Sequence, residues 1–136
     1  PDVTPRLKLG RDYSAVDYLK ARRDQARIRA EMATLLEDID LIATPTTPLP
    51  AVSNETGNLE VGGREVEGRA VLSNFTRLAC LTGQPAIALP CGFTADGLPT
   101  SLMLAGKWFE DAALLRAAHT YEQATDWHKR RPPEPE

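Results

Sequence analysis

The amino-acid sequence predicts an α/β fold in which helices flank a mixed β-sheet. Three short apolar runs, residues 41–44, 86–89 and 101–105, have the length and composition of buried strands. They alternate with longer segments whose apolar residues recur at helical spacing, which is the pattern of a sheet covered by helices. Asp96-Gly97, between the last two runs, favours a tight turn and therefore a hairpin. Three core strands are few for such a sheet, which indicates that part of it is missing.

The composition is that of an ordinary globular protein. The 136 residues are 42% hydrophobic and 26% charged, with a net charge of −3, so we expect one partial domain over residues 1–136. The acidic balance argues against a nucleic-acid partner, and no apolar run approaches the ~20 residues that span a membrane. A cytoplasmic protein is the default expectation. Cys80 and Cys91 make neither a disulfide framework nor a metal cluster, and no cofactor is implied.

The N-terminal part is predicted to hold one long helix behind a loop. Residues 1–11 have no periodicity and are expected to form the loop. Ser14 and Asp17 fit a capping box, and the helix should run to about Glu37. Its apolar stripe is formed by Ile28, Met32, Leu35 and Ile39. After the first strand, three prolines are expected to keep the chain extended, namely Pro45, Pro48 and Pro50.

A second helix is expected over residues 70–82. Its spacing predicts an inner face that consists of Val71, Phe75, Leu78 and Leu81. Gly83 follows the last periodic residue and is well placed as a left-handed cap, because glycine adopts positive φ without steric cost. The expected helix therefore ends directly before the second buried strand.

The remaining segments predict a hairpin, a final helix and a tail. Gly62-Gly63 stands between two short polar strands and supports a two-residue turn. The last helix should begin near residue 110 and carry Leu114, Leu115, Ala118 and Tyr121. Residues 128–136 contain three basic residues and three prolines and are expected to form a flexible tail.

No complete catalytic constellation stands out from the residues alone. None of the serines lies in the Gly-x-Ser-x-Gly turn of the common hydrolases. A nucleophilic pair of Cys91 with His119 stays open, although it would need an orienting third group and a thiol of low pKa. The alternative for His119 is a partly exposed helical residue. The spacings typical of zinc, calcium and phosphate sites are missing from the sequence.

Five segments in a fixed order carry a family resemblance. They are residues 40–48, 74–86, 96–99, 102–106 and 118–122. Together they resemble the C-terminal part of the amidase signature family. The resemblance implies the α/β/α sandwich of that family and an enzyme that cleaves carboxylic amides to an acid and ammonia or an amine. The A subunits of tRNA-dependent amidotransferases are similar as well.

The resemblance also implies that the catalytic residues lie outside this chain. The family uses a nucleophilic Ser, a second Ser held by a cis peptide bond and a Lys. This sequence has no Ser-Ser pair, and its lysines match no such site. We therefore assign no catalytic residue and expect the chain alone to be inactive. The implied partners are the missing N-terminal amidase part and a small-molecule amide, and an open sheet edge makes a second copy of the chain a further candidate.

Three residues are candidates for substrate binding, because the resemblance places the helix over residues 70–82 beside the acyl pocket. Ala70, Ser73 and Arg77 fall on one side of that helix. Ser73 would hydrogen-bond the substrate, and Arg77 would pair with a substrate carboxylate. The alternative is a polar stripe that faces solvent.

Two other functions stay open at this point. In the amidotransferase A subunits, the position that matches Ser73 is an Asp that holds the amino group of glutamine. The uncharged Ser73 makes glutamine-specific work less favoured, so the hydrolase hypothesis is preferred. The third hypothesis is a non-catalytic α/β module that binds a partner through an exposed strand edge.

Overall fold

The computed structural model describes residues 3–52 and 58–131, without the side chains of Arg6, Arg69 and Ala70. The helices in these ranges are α1 Val3–Leu9, α2 Ala15–Leu35, α3 Gly68–Leu72, α4 Thr76–Thr82 and α5 Asp111–Gln123, followed by a 3-10 turn at Trp127–Lys129. The strands are β1 Leu41–Pro45, β2 Asn58–Val61, β3 Arg64–Glu67, β4 Ala86–Phe93 and β5 Pro99–Gly106. The predicted α/β class is confirmed. None of these helices combines the length and hydropathy needed to span a membrane.

The main sheet has three strands in the order β1-β5-β4. Both pairings are antiparallel, with Leu41 opposite Gly106 and Ala86 opposite Ala105, so the described strands form an antiparallel sheet and not the mixed sheet that the sequence predicted. The predicted turn at Asp96-Gly97 joins β4 to β5, as the sequence indicates. Because β5 is the central strand, its residues Met103 to Gly106 are all buried. The buried residues of β5 therefore lie together at its C-terminal end.

Helix α5 covers one face of this sheet. Leu114 and Ala118 lie one helical turn apart and pack against Leu89 and Leu104, which occupy β4 and β5. Leu41 of β1 packs against the same cluster. The predicted final helix is confirmed, although Leu115 turns away from the sheet and is exposed.

The capping box of the long helix is confirmed. The hydroxyl of Ser14 accepts a hydrogen bond from the backbone N–H of Asp17 at 3.1 Å, and the Asp17 carboxylate accepts one from the backbone N–H of Ser14 at 3.2 Å. This reciprocal pair satisfies two N–H groups that have no partner within the helix. The predicted start of α2 is therefore correct to the residue.

The predicted apolar stripe of α2 is wrong at its C-terminal end. Met32 and Leu36 are buried and Ile28 is half-buried, whereas Leu35 and Ile39 are exposed. The buried set follows a strict four-residue spacing, which places these residues along one line of the helix. Leu35 lies one residue earlier on the helix and is thus rotated about 100° away from this line.

The expected loop over residues 1–11 is also wrong, because α1 spans Val3–Leu9. Pro5 lies in the first turn, where the missing N–H of proline costs no helical hydrogen bond. Val3 and Leu7 are exposed. This helix therefore lacks the buried face that would have given the sequence a recognisable period.

The helix expected over residues 70–82 is broken into α3 and α4. The backbone N–H of Asn74 donates to the Val71 carbonyl at 3.0 Å, which closes a turn, and the N–H of Arg77 donates to the Ser73 carbonyl at 3.1 Å, which starts a new helix. Ser and Asn favour such interruptions because their side chains compete for backbone hydrogen bonds.

The break changes which residues face inward. Val71, Ala79 and Thr82 are buried. The other three residues of the predicted inner face, Phe75, Leu78 and Leu81, are exposed, so that prediction is wrong for them. The predicted cap is confirmed, since Gly83 has φ 72° and ψ 30°.

The hairpin and the C-terminal segment complete the fold. Strands β2 and β3 pair antiparallel around Gly62-Gly63, which confirms the predicted two-residue turn. The Arg130 guanidinium lies 3.9 Å from the centre of the Phe93 ring, and the Trp127 ring lies 6.2 Å from the same ring. Part of the expected loop before β2, residues 53–57, lies outside the described residues, as do residues 132–136, for which the flexible tail stays a prediction.

Candidate functional site

A groove runs along α4 and brings two of the three predicted site residues together. Ser73 and Arg77 both line this α4 groove, which encloses about 800 Å³. The other lining residues are Gln25, Asn74, Thr76, Leu78, Cys80 and Leu81. Ala70 lies in α3, and its side chain is outside the described part of the chain. Ser73 and Arg77 thus lie on one groove, while their role in substrate binding stays a prediction.

Ser73 and Arg77 lie together for a different reason from the predicted one, which was that they share one side of a continuous helix. Ser73 is the residue that follows α3, while Arg77 belongs to the first turn of α4. The Ser73 carbonyl accepts hydrogen bonds from the Arg77 backbone N–H and from the Thr76 hydroxyl, both at 3.1 Å. The start of α4 is therefore built on Ser73, and this arrangement places the two residues on one groove without a continuous helix.

Two leucines give the α4 groove an apolar wall. Leu78 and Leu81 are each 41% exposed and line it together with Ser73 and Arg77. Sequence reasoning missed them as site residues because their helical spacing assigned them to the core. The adjacent Ser73-Asn74 pair was the available signal, since it favours a helix break that rotates the following residues. The groove thus combines hydrocarbon surface with a polar, cationic end.

Among the described residues that line this groove, Arg77 alone carries a positive charge. Among the described residues, no carboxylate lies within ion-pairing distance of its guanidinium. Arg27 on α2 shows the contrast, because its guanidinium donates to the Glu31 carboxylate at 2.7 Å and this contact raises the pKa of Arg27. Arg77 is therefore exposed and open to an external anion, for which a guanidinium offers two parallel donors.

Buried polar contacts fix the end of α4 against the sheet. The Thr82 hydroxyl donates to Gln84 Oε1 at 2.9 Å, and Gln84 Nε2 donates to the Gly106 carbonyl at 3.0 Å. The Trp108 indole N–H donates to the Thr82 carbonyl at 2.9 Å. From α2, Gln25 Nε2 donates to the Leu81 carbonyl at 2.6 Å. Sequence reasoning missed three of these contacts because their partners lie 22, 26 and 56 positions apart in the chain.

The cysteine–histidine pair left open by the sequence is not formed. Cys91 Sγ lies 3.7 Å from the Thr100 hydroxyl, while His119 is exposed on α5 and makes no hydrogen bond to Cys91 in the described part of the chain. Burial, together with the nearby Cys91, raises the pKa of Tyr121. Within residues 3–52 and 58–131, no group of three or more His, Cys, Asp or Glu side chains could hold a metal ion.

Comparison with known proteins places this architecture in a family. The family model described as Amidase matches residues 2–115. The A subunit of the glutamyl-tRNA(Gln) amidotransferase from Synechococcus sp. (strain JA-2-3B'a(2-13)) is 37% identical over 98% of this chain and 26% of its own length. A Pseudomonas putida protein named amidase is also 37% identical, over 96% of this chain and 28% of its own length.

A solved structure agrees with this result. The crystal structure of an amidase superimposes with a TM-score of 0.85 and 27% sequence identity, over 91% of this chain and 28% of the amidase. The chain thus spans about a quarter of the length of the relatives it matches. With the family model covering most of its residues, the chain belongs to the Amidase family.

Proposed function

We propose that this chain is the C-terminal portion of a hydrolase that cleaves carboxylic amides to an acid and ammonia or an amine. The observation that carries the proposal is the α4 groove, which joins an apolar wall to a hydroxyl and an exposed guanidinium in a member of the Amidase family. The chain spans 26–28% of the first relatives. In this proposal the Ser, cis-Ser and Lys of the mechanism lie in the remainder of the full-length protein.

In this proposal the chain supplies an apolar wall and a positively charged group to the substrate pocket. Leu78 and Leu81 contact the hydrocarbon part of the acyl group, whose burial contributes about 25 cal/mol per Å² of apolar surface. The Ser73 hydroxyl hydrogen-bonds a polar group of the substrate, and Arg77 pairs with a carboxylate carried by the substrate. Ala70, in α3, is the third residue assigned to substrate binding. These contacts bind and orient the amide, while the attack on its carbonyl belongs to the other part of the protein.

The first experiment measures ammonia or amine release from a panel of amides by the full-length protein and by the 136-residue chain. We expect release by the full-length protein alone, because the part of the chain that the structure describes shows no nucleophile paired with an activating base. A full-length protein that hydrolyses none of the panel and binds a protein partner instead would favour the non-catalytic alternative.

A second experiment tests the role of Arg77. The panel should include matched amides with and without a distal carboxylate. We expect Arg77→Ala to raise KM about tenfold or more for the carboxylate-bearing amides and to leave the neutral ones unchanged, since charge-assisted hydrogen bonds contribute about 1.5–3 kcal/mol. Arg116→Ala, which removes an exposed arginine from α5, is the control. An equal loss with both kinds of amide would contradict the assignment.

Glutamine-dependent transfer is the second candidate function. Several relatives at 36–38% identity are named as the A subunit of glutamyl-tRNA(Gln) amidotransferase, which is the observation in its favour. Ser73 argues against it, because an uncharged hydroxyl cannot form an ion pair with the glutamine amino group. Glutaminase activity that depends on added partner subunits would support this candidate, and hydrolysis of simple amides without partners would oppose it.

A further inference from the structure

Helix α2 contributes a side chain to the α4 groove. In the part of the chain that the structure describes, Gln25 is the α2 residue that lines this groove, and all its other lining residues lie between Ser73 and Leu81. Gln25 Nε2 donates to the Leu81 carbonyl at 2.6 Å, across 56 positions of the sequence. The fold thus brings a residue from a distant segment to the groove at the level of Leu81.

The direction of the Leu81 carbonyl places Gln25 at one end of the groove. Carbonyl groups of an α-helix point toward its C-terminus, and the last four have no partner within the helix. The amide that donates to the Leu81 carbonyl therefore lies beyond Leu81 along the axis of α4. Arg77 lies one turn before Leu81, about 6 Å back along this axis. Gln25 accordingly closes the end of the groove that lies opposite Arg77.

Both ends of the Gln25 amide are engaged in hydrogen bonds. The Arg22 guanidinium donates to Gln25 Oε1 at 2.9 Å, while Nε2 donates to the Leu81 carbonyl. A surface glutamine ordinarily samples several rotamers, and two simultaneous hydrogen bonds restrict this freedom. Gln25 is also half-buried, whereas its neighbours Asp24 and Ala26 are exposed. The side chain therefore forms a fixed end wall.

A second contact from α2 holds this end wall in place against α4. Arg29 lies one helical turn after Gln25, and its guanidinium lies 5.0 Å from the centre of the Trp108 ring. The Trp108 indole N–H donates in turn to the Thr82 carbonyl. Two successive turns of α2 thus reach the C-terminal end of α4, one directly at Leu81 and the other through Trp108.

The chemistry of the groove changes from one end to the other. Arg77 supplies a cation, Leu78 and Leu81 supply hydrocarbon surface, and Gln25 supplies an amide whose two polar atoms are already bonded. A ligand whose carboxylate pairs with Arg77 would lay its hydrocarbon chain along the leucines toward Gln25. Each methylene that leaves water there adds to the affinity, and a chain that reaches the end wall gains nothing from further methylenes.

We infer that Gln25 is a specificity-determining residue that limits the length of the hydrocarbon chain bound in the α4 groove. The inference rests on the proposed function, in which this groove holds the acyl group of the substrate. It adds a residue from α2 to a site that the sequence assigned to residues 70–82 alone. A Gln25 that only fastens α2 to α4 would favour no particular chain length, and this difference makes the inference testable.

The test measures binding of straight-chain carboxylates, from butanoate to dodecanoate, to the full-length protein by isothermal titration calorimetry. These ligands contain no amide bond, so binding is separated from hydrolysis. We expect Kd to fall about three- to fourfold with each added methylene up to a limiting length, and then to stop falling. Gln25→Ala should move this limit to a longer carboxylate. Gln123→Ala, the same substitution at the exposed end of α5, is the control and should leave the limit unchanged.

A second variant separates the length of the side chain from its hydrogen bonds. Gln25→Met has a side chain of similar length without the amide, so the limit should stay where it is in the wild type even if the Tm falls. A limit that moves as far in Gln25→Met as in Gln25→Ala would overturn the inference. The same holds if Gln25→Ala weakens every carboxylate equally.

Two further outcomes distinguish this inference from the proposed function. Binding that strengthens through the whole series without a limit would overturn the role of Gln25 and leave the groove as the site of the acyl group. A wild-type protein that binds none of the carboxylates would overturn both.

Discussion

Helices α2 and α5 bury their apolar residues to very different extents. In α5, Leu114 and Ala118 are each 3% exposed and lie against the sheet. In the N-terminal half of α2, Val16 and Leu19 are 59% and 57% exposed. Nearby on α4, Leu78 and Leu81 are exposed as well. The chain therefore completes one packing layer, between β5 and α5, and leaves the apolar surface of the α2–α4 layer open.

This difference shows which features of a helix can be predicted from the periodicity of its apolar residues. Helical spacing identifies an apolar face, but the residues that cover this face belong to other parts of the fold. For α5 the covering strands are within the described chain. For the α2–α4 layer, we propose that the remainder of the full-length protein covers the N-terminal half of α2 and closes the α4 groove, in which Leu78 and Leu81 contact the substrate.

The largest predicted effect contrasts one leucine from each layer. Leu114→Ala should lower the free energy of unfolding of the 136-residue chain by about 2–5 kcal/mol, because it leaves a cavity in a closed core. Leu19→Ala, the control from α2, should change it by less than about 0.5 kcal/mol. Denaturant unfolding measures both. Equal losses for the two variants would show that the two layers do not differ in packing.

The second prediction concerns the connection between the two layers. Gln84→Leu would remove the side-chain hydrogen bonds that join Thr82 to the Gly106 carbonyl, so this carbonyl would lose its donor from Gln84, while the Thr82 hydroxyl would still donate to the Leu78 carbonyl at 2.9 Å. We expect a loss of about 1–3 kcal/mol in thermal or denaturant unfolding. Gln123→Leu at the exposed end of α5 is the control and should be near neutral. A neutral Gln84→Leu would mean that the other contacts at the α4 end, among them the Trp108 and Gln25 hydrogen bonds, hold it without Gln84.

A smaller effect is predicted at the cap of α4. Gly83 has φ 72°, and a Cβ atom added there would meet no heavy atom within 4 Å. The cost of Gly83→Ala is therefore conformational and should be about 1 kcal/mol. Gly83→Asn should cost less, since asparagine tolerates this region better. Urea denaturation compares the two, and a larger loss for Asn than for Ala would contradict the conformational explanation.

The smallest effect is expected at the start of α2. Hydrogen bonds from the Ser14 hydroxyl and backbone N–H lower the pKa of Asp17. The folded-state pKa is thus below the unfolded one, so the contribution of Asp17 to stability is present above the unfolded pKa and is lost as the pH falls through the folded pKa. An acid titration of helicity by circular dichroism should show a small loss in this range that disappears in Asp17→Asn. The control Asp12→Asn should keep it, and a loss that persists in Asp17→Asn would have another source.

Local signals in the sequence predicted the parts of the fold that depend on neighbouring residues. The Ser14–Asp17 capping box, the Gly62-Gly63 turn and the Gly83 cap are side-chain or backbone effects within a few residues, and all three are present. The burial of Leu36 in place of Leu35 depends on tertiary packing, which spacing alone does not specify. Helix α1 leaves its apolar residues Val3, Leu7 and Leu9 exposed, so it left no pattern to detect.

Like the fold, the candidate site was predicted only in part from the sequence. The family resemblance directed attention to the segment around Ser73 and Arg77, and both lie on the α4 groove. Leu78 and Leu81 were assigned to the core because the break after Leu72 was missed. The contacts of Gln84 and Trp108 join residues 22 and 26 positions apart in sequence. Such long-range polar contacts have no periodic or local signature, so only the folded structure reveals them.

Amide hydrogen exchange in the 136-residue chain and in the full-length protein tests the central claim most directly. We predict strong protection of β5 and α5 in both, because their packing is complete within the chain. Protection of α4 and the N-terminal half of α2 should be weak in the 136-residue chain and rise in the full-length protein. If these helices are equally protected in both, the α2–α4 layer needs no cover, and the account of a chain completed by the rest of an amidase is contradicted.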